Sequence, residues 1–214
     1  MIRVLLADDE RLIRAGIGSI LSSDPAIEVA AEADSGREAV DRAREYQPDV
    51  ALVDIRMPDT DGLTAIPGIT GASPATAVAM LTTFGRDEYV TRALDEGANG
   101  FLLKTAAPHE LVSGVHAIAA GGAFLSPEIT RRVITHVRNR RVSPDEDRLA
   151  VLSARERDVL ALVGDGRSNA EIARKLYVSE ETVKSHVSAI LARLDLANRV
   201  QAAILAHEAG IATE

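Results

Sequence analysis

The chain has 214 residues, with 24 Lys+Arg against 32 Asp+Glu, a formal charge of −8, and 46% hydrophobic and 26% charged residues. These are ordinary globular values on a length suited to two compact units, which excludes a wholly disordered or fibrous chain. The absence of Cys excludes a disulfide framework, a thiolate zinc site and a cysteine nucleophile. No apolar run approaches the roughly 18 residues of a membrane span. The N-terminal run Val4–Ala7 meets Asp8-Asp9-Glu10 too early for a signal-peptide core. A soluble, cytoplasmic protein with no membrane partner is expected. Residues 1–120 carry 10 basic and 19 acidic residues, whereas residues 121–214 carry 14 and 13, so the two halves are expected to meet different partners.

Short aliphatic runs alternate with helical patterns over residues 1–120. The runs are Val4–Ala7, Ile27–Ala31, Val50–Asp54, Ala77–Leu81 and Gly100–Leu103. Between and after them, Leu12–Leu21, Arg37–Tyr46, Asp61–Ile69, Arg86–Glu96 and Glu110–Ala119 place apolar residues three and four apart. Five such units predict a doubly wound α/β domain, a five-stranded parallel sheet covered on both faces. Pro67-Gly68 should break or shorten the third helix. Gly121-Gly122 stops the fifth helix, and Ser126-Pro127 starts a short one to about Val137. The charged, Pro-interrupted stretch that follows reads as a linker, giving units of 1–121, 122–148 and 149–214.

The third unit reads as four helices. Ser153-Ala154-Arg155-Glu156 and Ser168-Asn169-Ala170-Glu171 are capping boxes. Ser179 caps a helix to about Asp195, and Asn198 opens the last. The three-residue turn Tyr177-Val178-Ser179 makes the middle pair a helix-turn-helix.

Chemistry-bearing residues fall at the C-terminal ends of the strands, where open α/β sheets bind ligands. Asp8 and Asp9 follow the first run, Asp54 closes the third, Thr82 the fourth and Lys104 the fifth. Three convergent carboxylates repel one another unless a cation sits among them. Oxygen ligands alone suit Mg²⁺. With Lys104 as counter-charge and the Thr82 hydroxyl as donor, the set suits phosphoryl transfer with Asp54 as nucleophile.

These residues resemble response-regulator receiver domains, through Val4–Glu10, Asp54-Ile55-Arg56-Met57-Pro58-Asp59-Thr60-Asp61-Gly62, Leu81-Thr82-Thr83-Phe84 and Gly100-Phe101-Leu102-Leu103-Lys104. The resemblance implies a flavodoxin-like fold in which Asp54 accepts a phosphoryl group from a phosphohistidine of a sensor histidine kinase. It implies Mg²⁺ bound by Asp9, Asp54 and the Arg56 backbone carbonyl, with Asp8 assisting through water. Thr82 and Lys104 would contact the phosphoryl oxygens, and Phe101 would swing inward on activation. Arg56 and Phe84 crowd the pocket mouth, where they would tune phosphoryl lifetime.

Along Thr182–Leu194, Val183, Val187, Ile190, Leu191 and Leu194 form one apolar stripe, and Lys184, Ser185 and Ser188 lie opposite. Short polar residues with one cation suit a DNA major groove. Thr182 and the helix N-termini at Ser168 and Ser179 offer N–H groups to phosphates, and Arg174, Lys175 and His186 offer side chains. The stretches Leu152–Glu156, Asn169–Ala173 and Val178–His186 resemble the LuxR-type helix-turn-helix. That likeness implies Glu180–Leu194 as recognition helix, Lys184, Ser185 and Ser188 as base readers, Asn169 as a further DNA contact, and Arg199–Ala209 as a dimer surface. Residues 149–214 carry 8 basic and 9 acidic residues, so a monomer should bind DNA weakly.

The whole is similar to the NarL/FixJ family. What it implies is a two-component regulator, phosphorylated on Asp54, that forms homodimers and binds double-stranded DNA. It would be no enzyme in its output, although slow autodephosphorylation is expected. A phosphohydrolase with an Asp nucleophile commonly places a second Asp two residues on, where this chain has Arg56. A small-molecule sensor does not need the acidic pocket, and an atypical, unphosphorylated receiver would not need every chemical group kept.

Overall fold

The computed structural model describes residues 1–83, 87–125, 129–130 and 149–212. Strands β1 (Ile2–Ala7), β2 (Ile27–Ala33), β3 (Val50–Asp54), β4 (Ala77–Thr82) and β5 (Gly100–Leu103) alternate with helices α1 (Arg11–Leu21), α2 (Gly36–Tyr46), α3 (Gly62–Ala72), α4 (Asp87–Asp95) and α5 (Pro108–Ala119). All pairings are parallel, and the strand order is β2-β1-β3-β4-β5 followed by a sixth strand at the edge. The sixth strand, β6 (Phe124–Leu125), pairs with β5 and corrects the expected five. At two residues it is too short to leave a period in the sequence, and it falls in the stretch expected to be linker. The expected short helix from Pro127 to Val137 lies outside the described residues except for Ile129 and Thr130.

The apolar strand runs have a plain cause. In β1, Leu5 and Ala7 point into the core under α2, α3 and α4, while Val4 and Leu6 point into the core under α1 and α5. β3 and β4 divide the same way, Ala51, Val53, Val78 and Met80 on one side and Val50, Leu52, Ala79 and Leu81 on the other. Successive side chains of a strand face opposite sides, so a doubly covered sheet must be apolar at every position.

The third helix departs from expectation: α3 runs unbroken through Pro67. Proline removes one helical N–H and crowds the preceding turn. Here Leu63, Ala65, Ile66 and Ile69 are all buried, and Thr70 Oγ1 donates to the Ile66 carbonyl at 3.1 Å. Burial of that face outweighs the local penalty. At the start of α3, Gly62 has no substitute, because a Cβ there would lie 1.9 Å from the Asp54 carbonyl oxygen. The close approach lets the Gly62 N–H reach the Ile55 carbonyl at 3.0 Å and tuck the loop beneath the end of β3.

Four helices form the C-terminal bundle: α6 (Ala154–Gly164), α7 (Asn169–Leu176), α8 (Glu180–Leu194) and α9 (Arg199–Glu208). Each starts at its expected cap, Ser153, Ser168, Ser179 and Asn198, whose side chain accepts from a backbone N–H three residues on. Val159, Leu160, Ile172, Val183, Ile190 and Ala206 form their shared core. The α7–α8 turn passes through Tyr177 at φ 56°, whose N–H closes on the Ala173 carbonyl. Among the described residues, no helix is long and apolar enough to cross a membrane.

The two units touch. Asn198 Nδ2 donates to the Leu94 carbonyl, at the C-terminal end of α4, at 2.6 Å. Gln201 Nε2 donates to the same oxygen at 3.1 Å, and Val200 is buried with the core of the N-terminal unit. The first turn of α9 thus adds two donors to an end-of-helix carbonyl that α4 itself supplies only with the Gly97 N–H at 3.3 Å.

Candidate phosphoacceptor site and nucleic-acid face

The parallel register gathers the acidic pocket. Asp54 ends β3 beside Leu81 of β4, Thr82 lies beside Leu103 of β5, and the Lys104 N–H donates to the Thr82 carbonyl at 2.8 Å. Asp8 and Asp9 leave β1 next to them, with the Asp8 N–H on the Ala33 carbonyl of β2 at 3.1 Å. The site lies where β1 gives way to β3 and strand order reverses. A pocket of about 440 Å³ opens there, lined by Asp9, Glu10, Asp54, Arg56, Thr82, Thr83, Tyr89 and Lys104.

Lys104 Nζ holds the carboxylates together. It lies 2.7 Å from Asp8 Oδ2, 3.0 Å from Asp54 Oδ2 and 3.6 Å from Glu10 Oε1. Asp8 is fully buried, Asp54 is 6% exposed, and the Lys104 side chain is 3% exposed. Burial pushes the Asp54 carboxyl above its ordinary value; Lys104 and the Arg56 N–H pull the other way, and the Asp8 charge adds to the rise. Burial alone would lower the Lys104 ammonium, but its bonds to Asp8 and Asp54 outweigh that and hold it above its ordinary value.

One carboxylate oxygen each from Asp8, Asp9 and Asp54 lie within 4.8 Å of one another, an all-oxygen donor set that fits a small hard cation. Glu10 and Tyr89 also border the pocket, and neither was singled out from the sequence. The helical spacing of Tyr89 marked it only as an α4 residue. Thr82 is 4% exposed and lines the pocket, as expected. Phe101 is already fully inside, packed in the core beside Met80, its β4 partner. Phe84 lies outside the described residues.

On the C-terminal unit, Val183, Ile190 and Leu194 of α8 are buried, while Thr182, Lys184, Ser185 and Ser188 are exposed in one polar face. The Ser185 hydroxyl donates to the Glu181 carbonyl at 3.0 Å, and the Thr182 hydroxyl meets that of Ser179 at 2.8 Å. His186 is half-buried, and Lys175 and Arg174 are exposed on α7, where with Arg167 and Glu171 they line a shallow groove. Asn169 differs from its expected place facing DNA. It is 3% exposed, its Oδ1 accepts from Arg199 Nη1 at 2.8 Å, and it lies so close to Gly121 that a Cβ there would be 2.0 Å from its Nδ2. As the first residue of a capped helix it looked open to solvent, but α9 and the end of the N-terminal unit cover it. Burial lowers the Arg199 guanidinium to about 10.

Residues 4–116 match the response regulator receiver domain, and residues 150–206 match the bacterial regulatory proteins of the luxR family. The chain belongs to the NarL/FixJ family of two-component response regulators. It is 39% identical to the transcriptional regulatory protein LnrK of Bacillus subtilis (strain 168), covering 99% of both chains. It is 39% identical to the response regulator protein VraR of Staphylococcus aureus, covering 97% of both, and 37% identical to the transcriptional regulatory protein DegU of Brevibacillus brevis, covering 95% of this chain and 92% of that one. Among solved structures, the response regulator ChrA of a heme-sensing two-component system matches with a TM-score of 0.54 at 36% identity, covering 98% of both chains. The protein is thus a response regulator with a receiver domain and a LuxR-type DNA-binding domain.

Proposed function

We propose that Asp54 is the phosphoacceptor and that its phosphorylation by a sensor histidine kinase controls dimerisation and sequence-specific DNA binding. The observation that carries this reading is the joint placement of Asp54, Asp8, Asp9, Thr82 and Lys104 in one pocket at the strand ends. A carboxylate oxygen of Asp54 forms the new P–O bond as the P–N bond to the kinase histidine breaks, and the electron pair leaves with the imidazole. Lys104 and Thr82 take the phosphoryl oxygens as charge develops on them. Asp9, Asp54 and the Arg56 carbonyl, with Asp8 assisting, would hold Mg²⁺, whose charge offsets that of the incoming group. Lys104 already bridges Asp8 and Asp54, so it needs little movement to exchange a carboxylate oxygen for a phosphoryl oxygen.

The phosphoryl group puts about −1.5 to −2 charges, in place of the single carboxylate charge, beside Thr82 at the end of β4. α4 carries the carbonyl that Asn198 and Gln201 cap from the other unit. A shift of α4 withdraws that contact and frees α9 for a second copy of the chain. The exposed face of α8 then enters the major groove, with Lys184, Ser185 and Ser188 at base edges and Thr182, Lys175 and His186 near phosphates. The output is binding rather than turnover, so the protein acts as a regulator in the cytoplasm and not as an enzyme. Intact mass after incubation with acetyl phosphate and Mg²⁺ tests the first step. One added phosphoryl group on wild type and none on Asp54→Asn is expected; equal labelling of both would place the acceptor elsewhere.

A further inference from the structure

We propose that Arg14 is a positioning residue for the Mg²⁺ site, acting through the peptide that joins Asp8 to Asp9; this rests on the reading of the pocket as a phosphoacceptor site. Arg14 lies on α1 with its side chain 16% exposed, and its guanidinium forks. Nη1 donates to the Asp8 carbonyl oxygen, and Nε donates to Glu32 Oε2 of β2 at 2.9 Å.

The Asp8 carbonyl lies just past the last residue of β1, whose final pairing is Ala7 with Ala33. The Asp8 N–H still reaches the Ala33 carbonyl, and the Asp8 carboxylate accepts the Glu10 N–H at 2.9 Å. Its carbonyl has passed the strand ladder, and the Arg14 guanidinium supplies the donor. Rotation of the Asp8–Asp9 peptide would swing Asp9, the exposed member of the carboxylate set, away from Asp54. A fork anchored on two strands opposes that rotation. Helix α1 does not need this bond to stay on the sheet, since Ile17 and Leu21 already bury it there.

Charge makes the proposal testable by sign. A guanidinium beside a cation site repels the cation, and Glu32 neutralises it. If Arg14 acted only as a charge, its removal would tighten Mg²⁺ binding. If it positions Asp9, removal weakens binding, as loss of a group supporting a metal ligand does, by about tenfold or more.

The test is calorimetric titration of the full chain with MgCl₂ for wild type, Arg14→Ala, Arg14→Lys, Glu32→Gln and Asp9→Ala, beside metal-free thermal unfolding of each. Arg14→Ala is expected to bind Mg²⁺ about tenfold more weakly than wild type, and Arg14→Lys to recover part of the loss. Glu32→Gln should weaken binding about twofold to threefold, by loosening one anchor of the Arg14 fork and leaving the guanidinium charge unneutralised. A cooperatively folded Arg14→Ala protein that binds within twofold of wild type, or more tightly, overturns the proposal. Should Arg14→Ala fail to fold, wild-type affinity in Glu32→Gln overturns it instead. Retained affinity in Asp9→Ala would sink the pocket reading together with the proposal, whereas its loss beside an unaffected Arg14→Ala would sink the proposal alone.

Discussion

Replacing Lys104 by Met keeps the buried stem and deletes the charge that ties Asp8 to Asp54. The ammonium lies 2.7 Å and 3.0 Å from the two carboxylates, and its side chain is 3% exposed, so solvent cannot replace it without reorganising the pocket. Removing one partner of a buried pair costs about 3–5 kcal/mol, because a buried charge is left uncompensated. Asp54 relieves part of that by taking up a proton, its carboxyl being already pushed upward by burial, which places the expectation near the lower end. The same substitution should strengthen Mg²⁺ binding about tenfold, or about 1.4 kcal/mol, since the cation no longer competes with an ammonium for the same oxygens. The alkaline limb of stability should vanish as well. Lys104 is held above its ordinary value, so its contribution is full below that value and is lost as pH rises through the folded one. Urea unfolding followed by circular dichroism, with chelator and with excess Mg²⁺, reads all three effects. A metal-free loss under about 1 kcal/mol, or unchanged Mg²⁺ affinity, would refute the view that Lys104 is the counter-ion of the acidic pocket.

Asp54→Asn should change the acid side of the metal-free stability profile. Burial holds the Asp54 carboxyl above its ordinary value, so its ionised form opposes folding at neutral pH, and the penalty fades as pH falls through the folded value toward the unfolded one. Wild type should therefore gain on Asp54→Asn as the pH drops through that window, and parallel stability curves would count against the argument. Asn198→Ala removes both the cap of α9, accepting from Gln201 N–H at 2.9 Å, and the bond to the Leu94 carbonyl. A loss of about 1–2 kcal/mol and a larger radius of gyration by X-ray scattering are expected, and an unchanged radius would deny that the contact holds the units together. Gly62→Ala forces a Cβ against the Asp54 carbonyl and should cost about 3 kcal/mol or more in thermal unfolding while lowering phosphoryl acceptance; a wild-type melting curve would contradict the close approach.

The β/α alternation was legible because a doubly covered sheet demands apolar residues at every strand position, so Val4–Ala7 and Val50–Asp54 stand out without an alignment. The caps were legible because Ser153, Ser168, Ser179 and Asn198 act within three residues of themselves. Pro67 misled because local propensity is overruled by the buried face of α3. β6 was hidden because two residues carry no period. In the pocket, residues at strand ends could be found from their strands, but Arg14 and Glu32 meet across 18 positions and Asn198 reaches Leu94 across 104. Such contacts leave no spacing to read, and the burial of Asn169 follows from them.

The proposed switch couples the acidic pocket to the DNA-binding face. Its most direct test is DNA affinity of the full chain, selected on random duplexes and measured by anisotropy, with and without beryllofluoride and Mg²⁺. Beryllofluoride should raise affinity for wild type, together with a shift toward dimer in sedimentation, and should do neither for Asp54→Asn. Equal affinity with and without beryllofluoride, in a wild-type protein shown by mass or calorimetry to bind it, would contradict the account.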